Sequence, residues 1–187
     1  MITLDEVIED TKDYVDFLKS GVKGCLLTRC TKQKIKDIEY KTKNLLIREP
    51  LNTPFEVHSA LNQYFIGNFG WPVRNGLFAY GMCNKFTDED ALGYGETYLL
   101  FPKGKFRYVF DPNIFDLYKH QLNFGKLNTK LEIKEFIKSI NYQSTDLDKF
   151  IHIIKYRERS VEIMVRCNSY YLVDVKYSNE IIEKIWE

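Results

Sequence analysis

The sequence predicts an α+β fold, a sheet flanked by helices rather than a regular parallel βαβ repeat. Three observations lead there. Helical and strand-like segments come in the order helix, strand, helix, strands, helices, strands, helix, which does not alternate as a doubly wound sheet would. Of 187 residues, 44% are apolar and 28% charged, the balance of a chain that buries its own core without staples. Aromatic residues reach 15%, with 13 Phe, 13 Tyr and 2 Trp, so rings must fill much of that core.

Leu4, Val7, Ile8, Tyr14, Val15 and Leu18 recur at helical spacing and predict one helix over residues 4–19, ended by Gly21 and Gly24. Cys25-Leu26-Leu27 opens a buried strand with a polar exit, Thr28-Arg29-Cys30. Residues 31–43 hold five lysines against Asp37 and Glu39 and read as a solvated loop or helix face, with a phosphate-binding patch as the sharper alternative. Thr53-Pro54-Phe55-Glu56 has the form of a capping box, with Thr53 as cap and Pro54 in the first helical position. The helix it starts carries Val57, Ala60, Leu61, Tyr64 and Phe65 on one stripe to about residue 66. His58 falls off that stripe and reads as a surface residue; Gly67, Gly70 and Pro72 break the helix.

Residues 76–82, 97–101 and 105–110 read as strands, the last two joined as a hairpin through Pro102-Lys103-Gly104. Residues 87–95 open as a capped turn and end as a glycine loop. Asp111-Pro112-Asn113 starts a short helix to about Tyr118. Helices are expected at 129–140 and 145–156, then strands at 161–167 and 170–175 as a hairpin around Asn168-Ser169, then a helix from Ser178 to Trp186. The expected organisation is one domain, with a core over 1–125 and a C-terminal helix and hairpin extension over 126–187 packed on it.

Lys+Arg 27 against Asp+Glu 26 gives a net charge of +1, too little to draw the whole chain onto nucleic acid or an anionic membrane. No apolar run is long enough to span a bilayer, and the acidic start lacks the features of a signal peptide. Cys25, Cys30, Cys83 and Cys167 lack paired spacing and stand far from any histidine at ligand spacing. They read as four reduced thiols in a cytoplasmic protein, with no metal expected. His58, His120 and His152 have no partner motif for nucleophilic catalysis.

What remains is a spaced set: Arg29 at the end of a strand, an aromatic strand entered through Arg74-Asn75-Gly76 and holding Phe78 and Tyr80, and Gly93-Tyr94-Gly95-Glu96 leading to Phe101-Pro102-Lys103-Gly104-Lys105-Phe106. On these residues, over about 22–118, the chain resembles the ADP-ribosyltransferase superfamily, in particular small bacteriophage proteins of that type. The resemblance implies a split antiparallel sheet, NAD as substrate, and transfer of ADP-ribose to a host protein or other host macromolecule in the host cytoplasm. By position, Arg29 matches the first-strand arginine and Glu96 the catalytic glutamate. Asn75 to Tyr80 stand where the family carries Ser-Thr-Ser, and Asn75, Phe78, Tyr80 and Tyr94 join Arg29 as expected NAD contacts.

The chemistry suits those residue types. A strand-end arginine offers a planar fork of donors to a pyrophosphate. Rings can stack on nicotinamide, and a carboxylate beside the ribose stabilises the positive charge that develops as the glycosidic bond breaks. Each residue also has a plainer reading: a surface arginine, a solvated glutamate, core aromatics and turn glycines. The alternative function is a non-enzymatic virion or host-interaction protein that uses its aromatic surface for binding. A weaker third reading is a nucleic-acid binder using Lys32 to Lys43.

Overall fold

The computed structural model describes residues 1–21, 23, 25–46, 48–50, 52–83, 94–144 and 161–187. The helix expected at 145–156, the turn at 87–93 and Gly24 lie outside the described residues. Among the described residues six α-helices run α1 Leu4–Asp10, α2 Lys12–Lys19, α3 Phe55–Phe69, α4 Leu117–Phe124, α5 Lys130–Lys138 and α6 Ser178–Trp186. The described residues also form eight strands: β1 Cys25–Thr31, β2 Ile38–Thr42, β3 Leu77–Cys83, β4 Glu96–Pro102, β5 Arg107–Phe110, β6 Gln143–Ser144, β7 Val161–Arg166 and β8 Ser169–Asp174. They form one antiparallel sheet in the order β2-β8-β4-β1-β3-β7-β5-β6, so the chain is mixed α+β as expected.

Neither expected hairpin forms. β4 pairs with β1 and β8, whereas β5 pairs with β6 and β7. β7 pairs with β3 and β5, whereas β8 pairs with β2 and β4. Local pattern marks strands but not partners. The connections remain short. Arg166 and Ser169 are three residues apart and can be separated by only about 11 Å. In a flat sheet the four places between β7 and β8 would span about 19 Å. The sheet therefore bends back on itself, bringing the β4–β5 and β7–β8 connections side by side. Residues 126–187 supply β6, β7 and β8, every one of which pairs with strands from 1–125.

The bend is filled from both sides. One buried cluster packs α1, α2 and α6 on the sheet through Val7, Tyr14, Leu18, Leu26, Leu99, Phe101 and Ile181. Tyr14 of α2 takes the amide of Leu27 at 2.9 Å and meets Phe101 and Phe106 edge-on at 5.4 and 5.6 Å, tying β1, β4 and the β4–β5 connection together. A second cluster packs α3, α4 and α5 on the sheet through Leu61, Phe65, Leu117 and Phe136. In β5 and β7 the alternation divides the chain between the two: Tyr108, Phe110, Ile163 and Val165 join the first cluster, Val109 and Met164 the second. No helix among the described residues is long and apolar enough to cross a membrane.

Several local expectations change. The first helix is broken at Thr11, whose hydroxyl donates to the Val7 carbonyl at 2.7 Å and whose backbone leaves the helical region. The lysine-rich segment contains an edge strand, β2, which its charges keep from pairing outward. α3 runs through Gly67 to Phe69 and closes at Gly70. Asp111 forms a turn, bonding the amides of Asn113 and Asn141 at 2.8 and 2.6 Å, and the helix waits for Asp116, whose carboxylate caps the Lys119 amide at 2.9 Å. Ser178 is the first residue of α6 rather than its cap. Thr129 and Glu132 form a reciprocal capping box that sequence reading passed over.

Gly95 sits at φ 119°, and a Cβ there would lie 2.3 Å from the Thr31 carbonyl oxygen. Gly95→Ala should therefore lower stability by about 2 kcal/mol or more, read as a drop in the urea midpoint; an unchanged midpoint contradicts this placement. A 126–187 fragment should show no cooperative thermal transition by circular dichroism, because its strands have their partners elsewhere.

Candidate functional site

A cleft of about 410 Å³ opens where β1, β3 and β7 meet the 43–53 segment and the start of α4. Each element delivers part of it. β1 contributes Arg29 and Cys30 at its polar exit, and β3 contributes Phe78 and Tyr80. In the β3–β7 register Tyr80 stands opposite Glu162 and Phe78 opposite Met164, so these side chains share one face. Lys43, Arg48 and Thr53 come from the segment before α3, Arg74 from the short 3-10 turn Val73–Asn75, and Asp116 and Tyr118 from the start of α4.

Three arginines converge on Phe78. Arg29 donates to its carbonyl at 2.7 Å, the Arg48 guanidinium lies 3.9 Å from its ring centroid, and that of Arg74 lies 5.9 Å away. Arg48 also donates to the Arg74 carbonyl at 2.8 Å. Arg74 is 6% exposed and bonds neutral partners, donating from Nε to His58 Nδ1 at 3.3 Å and from Nη2 to Thr53 Oγ1 at 3.2 Å. Among the described residues, none of Arg29, Lys32, Lys43, Arg48 and Arg74 forms an ion pair with a carboxylate. Burial lowers the pKa of Arg74, and burial together with Arg74 brings Arg48 down to about 10. Lys43 is lowered by burial, Arg48 and Arg29.

This overturns two readings of the α3 start. Thr53 is not its cap: the helix begins at Phe55, and the Thr53 hydroxyl is occupied by Arg74. His58 is not a surface residue but is 5% exposed. Burial, then Arg74 and Arg48, bring its pKa down to about 4, so the ring is neutral and accepts at Nδ1. The 3-10 turn widens the covered arc of α3 beyond the apolar stripe, which a helical wheel of α3 alone does not reveal.

Of the residues singled out from sequence, Arg29, Phe78, Tyr80 and Tyr94 line the cleft. Asn75 stands behind it, its amide holding the Leu45 and Leu46 carbonyls at 3.2 and 3.1 Å and so fixing the segment that carries Arg48. Glu96 is exposed and outside the cleft lining, its carboxylate taking the Tyr98 hydroxyl at 2.6 Å. Two other acids are inside. Asp116 accepts from the Tyr94 hydroxyl at 2.8 Å and from the Lys119 amide. Glu162 is 5% exposed, and burial, then Asp116, push its pKa up to about 8. Glu162 lay in an ordinary strand pattern; the one available signal was a charge inside an otherwise apolar run. Among the described residues Cys25, Cys30 and Cys167 form no disulfide, and burial pushes Cys167 up to about 12, which makes it inert. The described residues include no cluster of His, Cys, Asp and Glu fit to hold a metal.

These shifts make stability depend on pH in opposite directions. Glu162, raised from 4.5 to about 8, contributes fully below pH 4.5, and that contribution is lost as pH rises to about 8. His58, lowered from 6.5 to about 4, contributes fully above pH 6.5, and that contribution is lost as pH falls to about 4. Thermal melts across pH should show Glu162→Gln gaining on wild type toward pH 8 and His58→Gln gaining toward pH 4. Curves parallel to wild type would contradict the two burials.

Comparison of the chain with protein-family models, with curated proteins and with solved structures yields no match, so the functional reading rests on the cleft itself.

Proposed function

We propose that the cleft binds NAD and that the chain transfers ADP-ribose from it to a host macromolecule. The observation that carries this is the cluster of Arg29, Arg48 and Arg74, unpaired with carboxylates, against an aromatic wall. Cations without a carboxylate ion pair in a partly dry cleft favour an anionic ligand, and rings beside them favour one with planar groups. A dinucleotide has both.

In the proposed reaction the bond between nicotinamide nitrogen and ribose C1′ breaks, its electron pair leaving with neutral nicotinamide. The ribose becomes positively charged until an acceptor nucleophile bonds to C1′ and gives up its proton. A carboxyl group held in its acid form cannot offset that charge, which excludes Glu162 from this role near neutral pH. Asp116, in the cleft and hydrogen-bonded by Tyr94, is the better placed carboxylate than the exposed Glu96. A second reading, a binding protein without catalysis, draws on a groove between α3 and α5, where Phe55 is 70% exposed beside Ile133 and Ile137.

Calorimetry should show NAD binding that weakens with salt, and Arg29→Ala should weaken it by about tenfold or more through loss of a charged hydrogen-bond donor. With biotinylated NAD and bacterial lysate, Asp116→Asn should cut labelling rate about 100-fold with little change in NAD affinity, because charge stabilisation is realised only as the bond breaks. Loss in Glu96→Gln but not in Asp116→Asn would return the role to Glu96. Wild type that neither binds NAD nor labels any acceptor would remove the enzyme reading.

A further inference from the structure

Glu162 is the buried group that this reaction leaves unused. It enters the cleft from β7, and its backbone amide donates to the Phe115 carbonyl at 3.1 Å, locking the strand to the segment before α4. Its carboxyl takes the amide of Leu117, the first residue of α4. Its Oε1 is fully buried and has no partner. The charged and titratable groups around it are Asp116 before α4, Arg74 of the 3-10 turn, Arg48, Tyr80 of β3, Tyr94 and Tyr142. No cation among the described residues forms an ion pair with it.

A buried carboxyl oxygen without a partner calls for an explanation, because such groups are destabilising and uncommon. A carboxylate beside three arginines would repel the anion they attract. A carboxylic acid would instead add a donor to theirs. We propose that Glu162 binds as the acid, donating the hydrogen of Oε1 to a phosphate oxygen of the nucleotide, so that anion binding is coupled to retention of one proton. This rests on the nucleotide reading above and adds to it a ligand contact and a dependence on pH. Burial and the neighbouring Asp116 supply the retention, holding the acid form to about pH 8. Ionisation above that pH removes the donor and places a negative charge against the phosphate.

ADP-ribose is the suitable probe, since its pyrophosphate diester keeps the same charge from about pH 5 to 10. Calorimetry on the full chain should give an affinity that falls by up to about tenfold per pH unit above about pH 8. In Glu162→Gln the amide cannot ionise, and its affinity, whatever its value, should fall less steeply. Lys43, whose pKa is also lowered, contributes equally to both proteins, so the difference between the slopes reports Glu162. Near pH 8.5, wild type and Lys43→Ala should both take up protons on binding, read from the dependence of binding heat on buffer ionisation enthalpy. Equal slopes, or no proton uptake in Lys43→Ala, overturn the coupling while leaving the nucleotide reading intact. No ADP-ribose binding at any pH overturns both.

Discussion

Cys167 and Asn168 alone carry the chain from β7 to β8, strands four places apart in the sheet. A flat sheet cannot satisfy that link, so the sheet bends, and most of the molecule follows from the bend. The strands on either side of it must share a filling, which α2 supplies through Tyr14 and Phe17 against Phe101, Phe106 and Tyr108. β5 and β7 become buried on both faces, which is why, Glu162 apart, their interior positions read as apolar runs rather than alternating ones. The aromatic excess in the composition finds its use here, since rings span the wide space inside a bend better than aliphatic side chains do.

The cleft inherits its charge from the same arrangement. Arg74 is carried into the interior because the Val73–Asn75 turn packs between α3 and β7, with Val73 in the core. Burying a guanidinium is tolerable only when its donors are taken, and His58 and Thr53 take two of them without neutralising the charge. The neutral state of His58 is part of this solution, because a second positive charge against Arg74 would make the site untenable. Asn75 then fixes the preceding segment through two carbonyls, which holds Arg48 over the Phe78 ring. Positive charge is concentrated locally in a chain whose net charge is +1. A global sum says little about a particular surface, because opposite charges elsewhere cancel in it without screening the cleft.

The two acids of the cleft show how environment separates chemically similar groups. Asp116 receives hydrogen bonds from the Tyr94 hydroxyl and the Lys119 amide. Glu162 receives one amide bond and is otherwise shut away from water, with Asp116 beside it. The neighbouring carboxylate and the loss of hydration both favour the acid form of Glu162, and the arginines only partly oppose them. Acids in different surroundings within one cleft can divide the tasks of binding and charge stabilisation.

By itself the sequence determined the mixed class, the strands β1, β3, β4, β5, β7 and β8 and the helices at Phe55–Phe69, Lys130–Lys138 and Ser178–Trp186 within a few residues. Those features depend on periodicity, turn residues and caps a few positions apart. It also picked out Arg29, Phe78, Tyr80 and Tyr94, which the fold does bring to one cleft. Only the tertiary structure decided which strands pair, because a hairpin and a long-range pairing present the same alternation along the chain. Only it placed Arg48, Arg74, Asp116 and Glu162 together while leaving Glu96 on the surface, since these positions are joined through the β3–β7 register and the packing of a short turn rather than through spacing. Burial and charge environment are sums over neighbours distant in sequence, so the neutral His58 and the raised Glu162 could be known only once those neighbours were in place.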